Sequence, residues 1–231
     1  MKYLLSIYSI LVLSLFWACQ TEPTDPYWTM EELEVYSVDK SKKEITRGVL
    51  SFKETKITDD KGRRFETWFY NRNDQLTAFE RFDYKGNEMN SLKSKYYDFR
   101  DSLLSYYVFE YDDKGNEISK KSYDAATDEL LRIEKFKHDD KNNRVGREIR
   151  DASGQLVRRY DFRFDKDGNE SSYSVYDADG KLLVAETLAI TKRENKNDEW
   201  SEAWSIRDEV PNTIRLRKIK RFLPKEIKDY K

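Results

Sequence analysis

The residue types able to do chemistry are concentrated in short Asp-, Asn- and Gly-rich stretches. Asp165, Asp167 and Asn169 place side-chain oxygens at alternate positions around Gly168, the ligand type that Ca2+ selects. The register of a helix–loop–helix calcium site fails, however. With Gly168 at the sixth loop position, the first is Arg163 and the twelfth is Ser174, where calcium requires carboxylates. These residues are read as turn formers bonding their own backbone, and no metal site is assigned. His138 is the single histidine, so zinc has no histidine cluster to occupy. It stands beside Asp139 at a strand end and is read as solvated. No Gly-x-Ser-x-Gly elbow occurs. With 44 acidic residues, no carboxylate pair for glycoside hydrolysis can be singled out. The expectation is a non-enzymatic chain with no cofactor.

Two other groups of side chains suit binding. Arg215, Arg217, Lys218, Lys220 and Arg221, interleaved with Ile214, Leu216, Ile219 and Phe222, would face an anionic partner or form the charged face of a last strand, the reading preferred. Tyr106, Tyr107, Tyr123, Tyr160, Tyr173 and Tyr176 would make a stacking surface for sugars or peptides, or pack across strands; cross-strand packing is preferred.

The elements that carry these residues follow from the turns. Tyr111-Asp112-Asp113-Lys114-Gly115-Asn116-Glu117 is repeated in variants at Asp59–Gly62, Asp83–Gly86, Asp151–Gly154, Asp165–Gly168 and Asp177–Gly180, and with Asn for Gly at Asp139–Asn142. Asp at the first position bonds the backbone two residues on, and Gly at the fourth adopts positive φ, which Asn also tolerates. The turn-forming residues are therefore Gly62, Gly86, Gly115, Asn142, Gly154, Gly168 and Gly180. Adding Asp74, Asp101 and Asp128, successive turn centres lie 12 to 15 residues apart. Every second one recurs at about 27, so the unit is a β-hairpin. Between turns the pattern alternates: Leu156, Arg158, Tyr160, Phe162 and Phe164 fall on one face, with Val157, Arg159, Asp161 and Arg163 on the other.

Residues 1–18 read as a secretory leader, with Lys2 before an uncharged apolar run from Tyr3 to Phe16. Cys19, the only cysteine, follows at once. Leu15-Phe16-Trp17-Ala18-Cys19 resembles the lipobox of bacterial lipoprotein precursors. That resemblance implies a lipidated Cys19 (palmitate among the acyl chains) at the mature N-terminus, and Gln20 resembles the residue that sends such proteins to an outer membrane. Residues 19–26 form a polar tether with two prolines, and 27–231 one β domain. Its clear repeats span 59–190, with capping strands at 27–58 and 191–231. Trp28–Glu32 is expected to form a helical turn capped by Thr29, Ile45–Thr58 a strand broken at Gly48, Asn195–Asp198 a turn, and Trp200 and Trp204 a cap over the open end of the array.

Tyr111–Asn116, Phe82–Asn87 and Phe164–Asn169 are similar to the YD (RHS-type) repeats of bacterial surface proteins, and the tandem hairpins to bacterial MORN-like repeats. The likeness covers 59–190. It implies an exported β-repeat fold and brings no catalytic residues.

Charged residues make up 38% of the chain with a net charge of −1, and apolar residues only 38%. A compact sandwich needs a richer interior. The fold expected is an all-β antiparallel meander of hairpins in an open or loosely curled sheet, with a closed up-and-down barrel as the alternative, since closure removes edges. The function expected is a binding or scaffolding module of the cell envelope, held to the membrane through Cys19, with a protein or polysaccharide partner and no nucleic acid. A periplasmic carrier of an apolar ligand is the alternative, and an envelope polysaccharide hydrolase stands behind both.

Overall fold

The computed structural model describes residues 28–39, 41, 46–86, 88–194, 199–208 and 210–222. The leader, Cys19, the tether and the Asn195–Asp198 turn lie outside them, as does the side chain of Trp200. Among the described residues there are fourteen strands and no helix. They are β1 Trp28–Asp39, β2 Thr46–Thr58, β3 Arg64–Tyr70, β4 Leu76–Asp83, β5 Lys93–Asp98, β6 Leu103–Tyr111 and β7 Glu117–Asp124. There follow β8 Leu130–His138, β9 Arg144–Asp151, β10 Leu156–Phe164, β11 Glu170–Asp177, β12 Leu182–Glu194, β13 Glu199–Arg207 and β14 Val210–Phe222. Each pairs antiparallel with its chain neighbours, and β1 pairs with β14 without a break from Trp28–Phe222 to Ser37–Thr213. The meander of hairpins is thus a closed up-and-down barrel.

Closure corrects the open-sheet expectation, and the reason is the width of the barrel. Eight strands enclose a lumen that side chains just fill, whereas wider barrels leave room for water. Fourteen strands accordingly need no dense apolar core, and a low apolar fraction does not count against them. The helical turn expected at Trp28–Glu32 is also overturned. These residues pair on both sides, Met30 opposite Ile57 and Lys220, and two ladders outweigh one local cap. Gly48 lies inside β2, and the register shifts of the β1–β2 pair fall at Val35–Val38 opposite it.

The tight turns that start at Asp59, Asn71, Asp98, Asp112, Asp139, Asp151, Asp165 and Asp177 are closed by the same local chemistry. In the β6–β7 turn Gly115 N–H donates to the Asp112 carbonyl at 2.9 Å and Asp112 N–H to the Asn116 carbonyl at 2.9 Å. Asp112 Oδ1 accepts from the backbone N–H of Lys114 and Asn116 at 3.0 and 2.8 Å, and Asn116 Nδ2 returns to Asp112 Oδ2 at 3.0 Å. Positive φ falls at Gly115 (82°), Asn142 (65°), Asp74 (59°), Asp101 (67°) and Asp128 (62°), among others. The extra left-handed residue appears as a one-residue register shift beside the turn, as between Glu110 and Tyr111.

The two rims differ. At the rim where β1 starts and β14 ends, here the proximal rim, turns continue into Asn116-Glu117, Asn143-Arg144 and Asn169-Glu170. At the distal rim they continue into Leu103-Leu104, Leu130-Leu131, Leu156-Val157 and Leu182-Leu183, and all of these but Leu130 and Leu156 are exposed. One face of the sheet lines the lumen, carrying Glu54, Phe69, Phe82, Phe109, Lys120, Glu134 and Arg147. The opposite face of β6–β10 carries Glu110, Lys121, Lys135, Lys137, Glu148, Arg159 and Asp161. A barrel crossing a bilayer needs an apolar band on its outer face, and on β6–β10 this face is charged. Under β1–β5 the opposite face instead packs Met30, Ile57, Trp68 and Phe79 into a buried cluster. The ion pairs Arg81–Glu66 at 2.7 Å and Lys53–Asp74 at 2.7 Å lie beside it.

Candidate binding cavity in the barrel lumen

The proximal end of the lumen opens into a cavity of about 550 Å³, within the size range of small-ligand sites, roughly 300–1,000 Å³. Its walls come from β2, β3, β4 and β6 through β9. Strand alternation sends Glu54, Phe69, Phe82, Phe109, Lys120, Glu134, Phe136 and Arg147 to the same face, and closure brings them around one space. The mouth is built where the repeat is broken. The β4–β5 connection runs from Tyr84 to Leu92 rather than as a tight turn at Gly86, and supplies Tyr84, Met89 and Ser91 to the cavity. Side chains pin this connection: Tyr84 Oη donates to the Arg64 carbonyl at 2.9 Å and Tyr111 Oη to the Ser91 carbonyl at 2.8 Å. Ser91 Oγ lies 2.8 and 2.6 Å from the Asp83 and Lys93 carbonyls. Burial pushes the Tyr84 and Tyr111 phenols up, so both stay un-ionised hydrogen-bond donors.

Cations sit on the aromatic walls. Arg144 lies 3.9 Å from the Phe136 ring centre and pairs with Glu117 at 3.0 Å. Lys120 is 3.8 Å from the Tyr107 ring and 3.6 Å from Glu80. Arg147 bonds the buried Glu134 at 2.7 Å and lies 5.2 Å from Tyr160. Arg64 lies 5.4 Å from the Phe82 ring centre and has no carboxylate partner among the described residues. Guanidinium on a ring face keeps its N–H edge available to a ligand. The arrangement sets cation-covered aromatic rings next to fixed carboxylates.

A second polar cluster fills the lumen face of β11–β14. Glu186 accepts from Tyr173 at 2.7 Å, Arg207 at 2.6 Å and Asn212 at 3.0 Å. Burial would push Glu186 up; its hydrogen bonds from Tyr173, Ser205 and Arg207 outweigh that and hold it below the usual carboxylate range. Burial pushes Glu170 up, against the attraction of Arg215. Burial and the bond to Glu186 push Tyr173 up to about 12.

The side chains singled out in the sequence are dispersed. Tyr107, Tyr160 and Tyr173 face the lumen. Tyr106 and Tyr123 stack at 5.0 Å on the opposite face, so the six tyrosines form no common surface. The basic run is tied into the barrel: Arg217 bonds Glu31 at 2.8 Å, and Lys218 reaches Glu32 and Glu34 at 3.3 and 3.5 Å. His138 ends β8 opposite Arg144. In the Asp-rich turns the carboxylates are spent on backbone N–H groups, as at Asp165 with Asp167 and Asn169, each at 2.9 Å. Among the described residues no group of three or more His, Cys, Asp or Glu is placed to hold a metal ion. The cavity residues Phe69, Phe136 and Arg147 stand in no sequence motif, and Phe82 stands only in a turn repeat. The signal available was the spacing of 15 residues from Gly86 to the next turn centre at Asp101.

No protein family matches the sequence, and no curated protein does. Among solved structures the chain is similar to a porin-like protein from Bacteroides uniformis, at 12% identity and a TM-score of 0.45, over 82% of this chain and 96% of that one. It is also similar to part of the Tc holotoxin pore of Photorhabdus luminescens, at 12% identity and a TM-score of 0.33, over 72% of this chain and 12% of that one. A TcdB2–TccC3 complex matches at 13% identity and a TM-score of 0.35, over 67% of this chain and 10% of that one. The chain thus spans about a tenth of the length of either toxin chain.

Proposed function

We propose that this chain is an exported lipoprotein of the cell envelope, held to a membrane through Cys19, and that its barrel is a binding module taking a small ligand into the proximal end of the lumen. The observation that carries the reading is the cavity of about 550 Å³ with aromatic and charged walls. The mixed wall disfavours a carrier of apolar ligands. Such a ligand would have to desolvate Glu54, Glu134, Lys120 and Arg147, and burying charge without a new partner is costly. The leader and lipobox resemblance supply the location, and the charged outer face of β6–β10 fits a barrel standing beside a bilayer rather than within it.

The reading is tested on the full-length protein by calorimetric titration with a panel of saccharides, peptides and fatty acids. A saccharide or peptide is expected to bind, and Phe109→Ala is expected to weaken it at least about tenfold, the loss of roughly 1.4 kcal/mol of ring contact. Binding indifferent to Phe109→Ala and Phe136→Ala, or confined to fatty acids, would remove the lumen site as proposed. For the anchor, Cys19→Ala is expected to move the protein from the membrane to the soluble fraction; its retention on membranes would refute lipidation.

A further inference from the structure

The lining of the cavity holds five cations against three carboxylates. Four of the cations are neutralised: Arg63 by Asp59 at 2.7 Å, Lys120 by Glu80, Arg144 by Glu117 and Arg147 by Glu134. The partners standing outside the lining do not change the balance. Asp59 and Glu80 add two negative charges, and Lys56 beside Glu54 and Arg132 beside Glu134 add two positive ones. Among the described residues an excess of two positive charges remains, and Arg64 at the mouth is the lining cation with no carboxylate partner there.

We infer that the ligand of the lumen is an anionic saccharide, a sugar ring or short chain of rings bearing carboxylate or sulfate groups. The inference rests on the lumen being the binding site. Arg64 is the anchor for the acid group, since a guanidinium matches the geometry of carboxylate and sulfate oxygens. The half-buried Phe82 ring, stacked 6.1 Å from the buried Phe109 ring, offers an apolar edge beside Arg64 to a sugar ring. The paired charges deeper in the wall, such as Glu134 with Arg147, offer acceptors and donors to hydroxyls. An acyl chain would find no continuous apolar wall here, because each ring is flanked by a charge.

The test titrates the full-length protein with oligogalacturonate, a sulfated disaccharide and the uncharged galactose oligomer of equal length. The acidic sugars are expected to bind at least about tenfold more tightly than the neutral one, one charge-assisted contact being worth that much. Their affinity is expected to fall as salt is raised from 50 to 500 mM. Arg64→Gln, at an exposed position, is expected to lower acidic-sugar affinity about tenfold while leaving the neutral sugar unchanged. The carboxylate and sulfate arms identify which acid is preferred. Equal binding of the neutral oligomer with loss in Phe109→Ala would overturn the anionic inference and keep the lumen site. Acidic-sugar binding untouched by Phe109→Ala would overturn the site as well. Binding of acidic peptides or anionic vesicles without acidic sugars, or failure of every acidic sugar to bind, would sink the inference.

Discussion

At the scale of single residues, Glu186 carries the largest concentration of polar contacts in the lumen wall of β11–β14. Its carboxylate is buried and takes bonds from Tyr173, Arg207 and Asn212. Removing one partner from a buried, bonded charge leaves the others unsatisfied, which costs more than the pair is worth as a net interaction. Glu186→Ala is therefore expected to destabilise by about 2–3 kcal/mol, below the figure for a fully buried pair because Arg207 is half-exposed. Glu186→Gln, which keeps an acceptor for Tyr173, should cost less. Urea unfolding midpoints measure both, and an unchanged midpoint for the alanine variant would show the cluster to be energetically idle.

At the scale of the hairpin, the turn carboxylates link stability to pH. Asp98 is held below its ordinary range by the Ser102 N–H, Asp112 by Asn116, Asp124 by the Thr127 N–H, Asp139 by Asn143 and Asp151 by Ser153. A carboxylate depressed in the folded state contributes stability that is fully present above its unfolded value, near 3.9, and is lost as pH falls through its folded value. The melting temperature is expected to change little through these groups from pH 7 to about 5 and to drop below about pH 4. The double variant Asp112→Asn, Asp139→Asn keeps an oxygen acceptor and cannot titrate. Its melting temperature should fall less steeply with acid, and a parallel fall would mean that the acid sensitivity lies elsewhere.

At the scale of the whole molecule, closure is the decisive fact. The β1–β14 pairing removes both edges of a fourteen-stranded sheet, and edges are where such sheets associate. A closed barrel of this length is expected to scatter with a radius of gyration close to about 17 Å, the compact-domain value. Small-angle scattering on the Gln20–Lys231 chain measures it. A clearly larger, elongated particle would mean that β1 and β14 do not meet in solution. Closure also makes the two ends chemically distinct, with polar turns around the cavity at the proximal rim and exposed leucines around the distal one.

The sequence alone carried the hairpins, because their chemistry is local. An Asp bonded to N–H groups two and four residues on, and a left-handed residue at the fourth position, are complete within five residues, and alternation then sets which side chains share a face. What it did not carry depends on partners far apart in the chain. Glu54 and Arg147 line one cavity across 93 positions, and no spacing along the chain announces that. Trp28–Glu32 has a helical cap signal and forms a strand, since β2 and β14 are both there to pair with it. Composition argued for an open sheet, because a scarcity of apolar residues rules out a filled core. Only the tertiary structure shows that no filled core is required, since a ring of fourteen strands leaves a lumen wide enough for ion pairs and water to take the place of packed hydrocarbon.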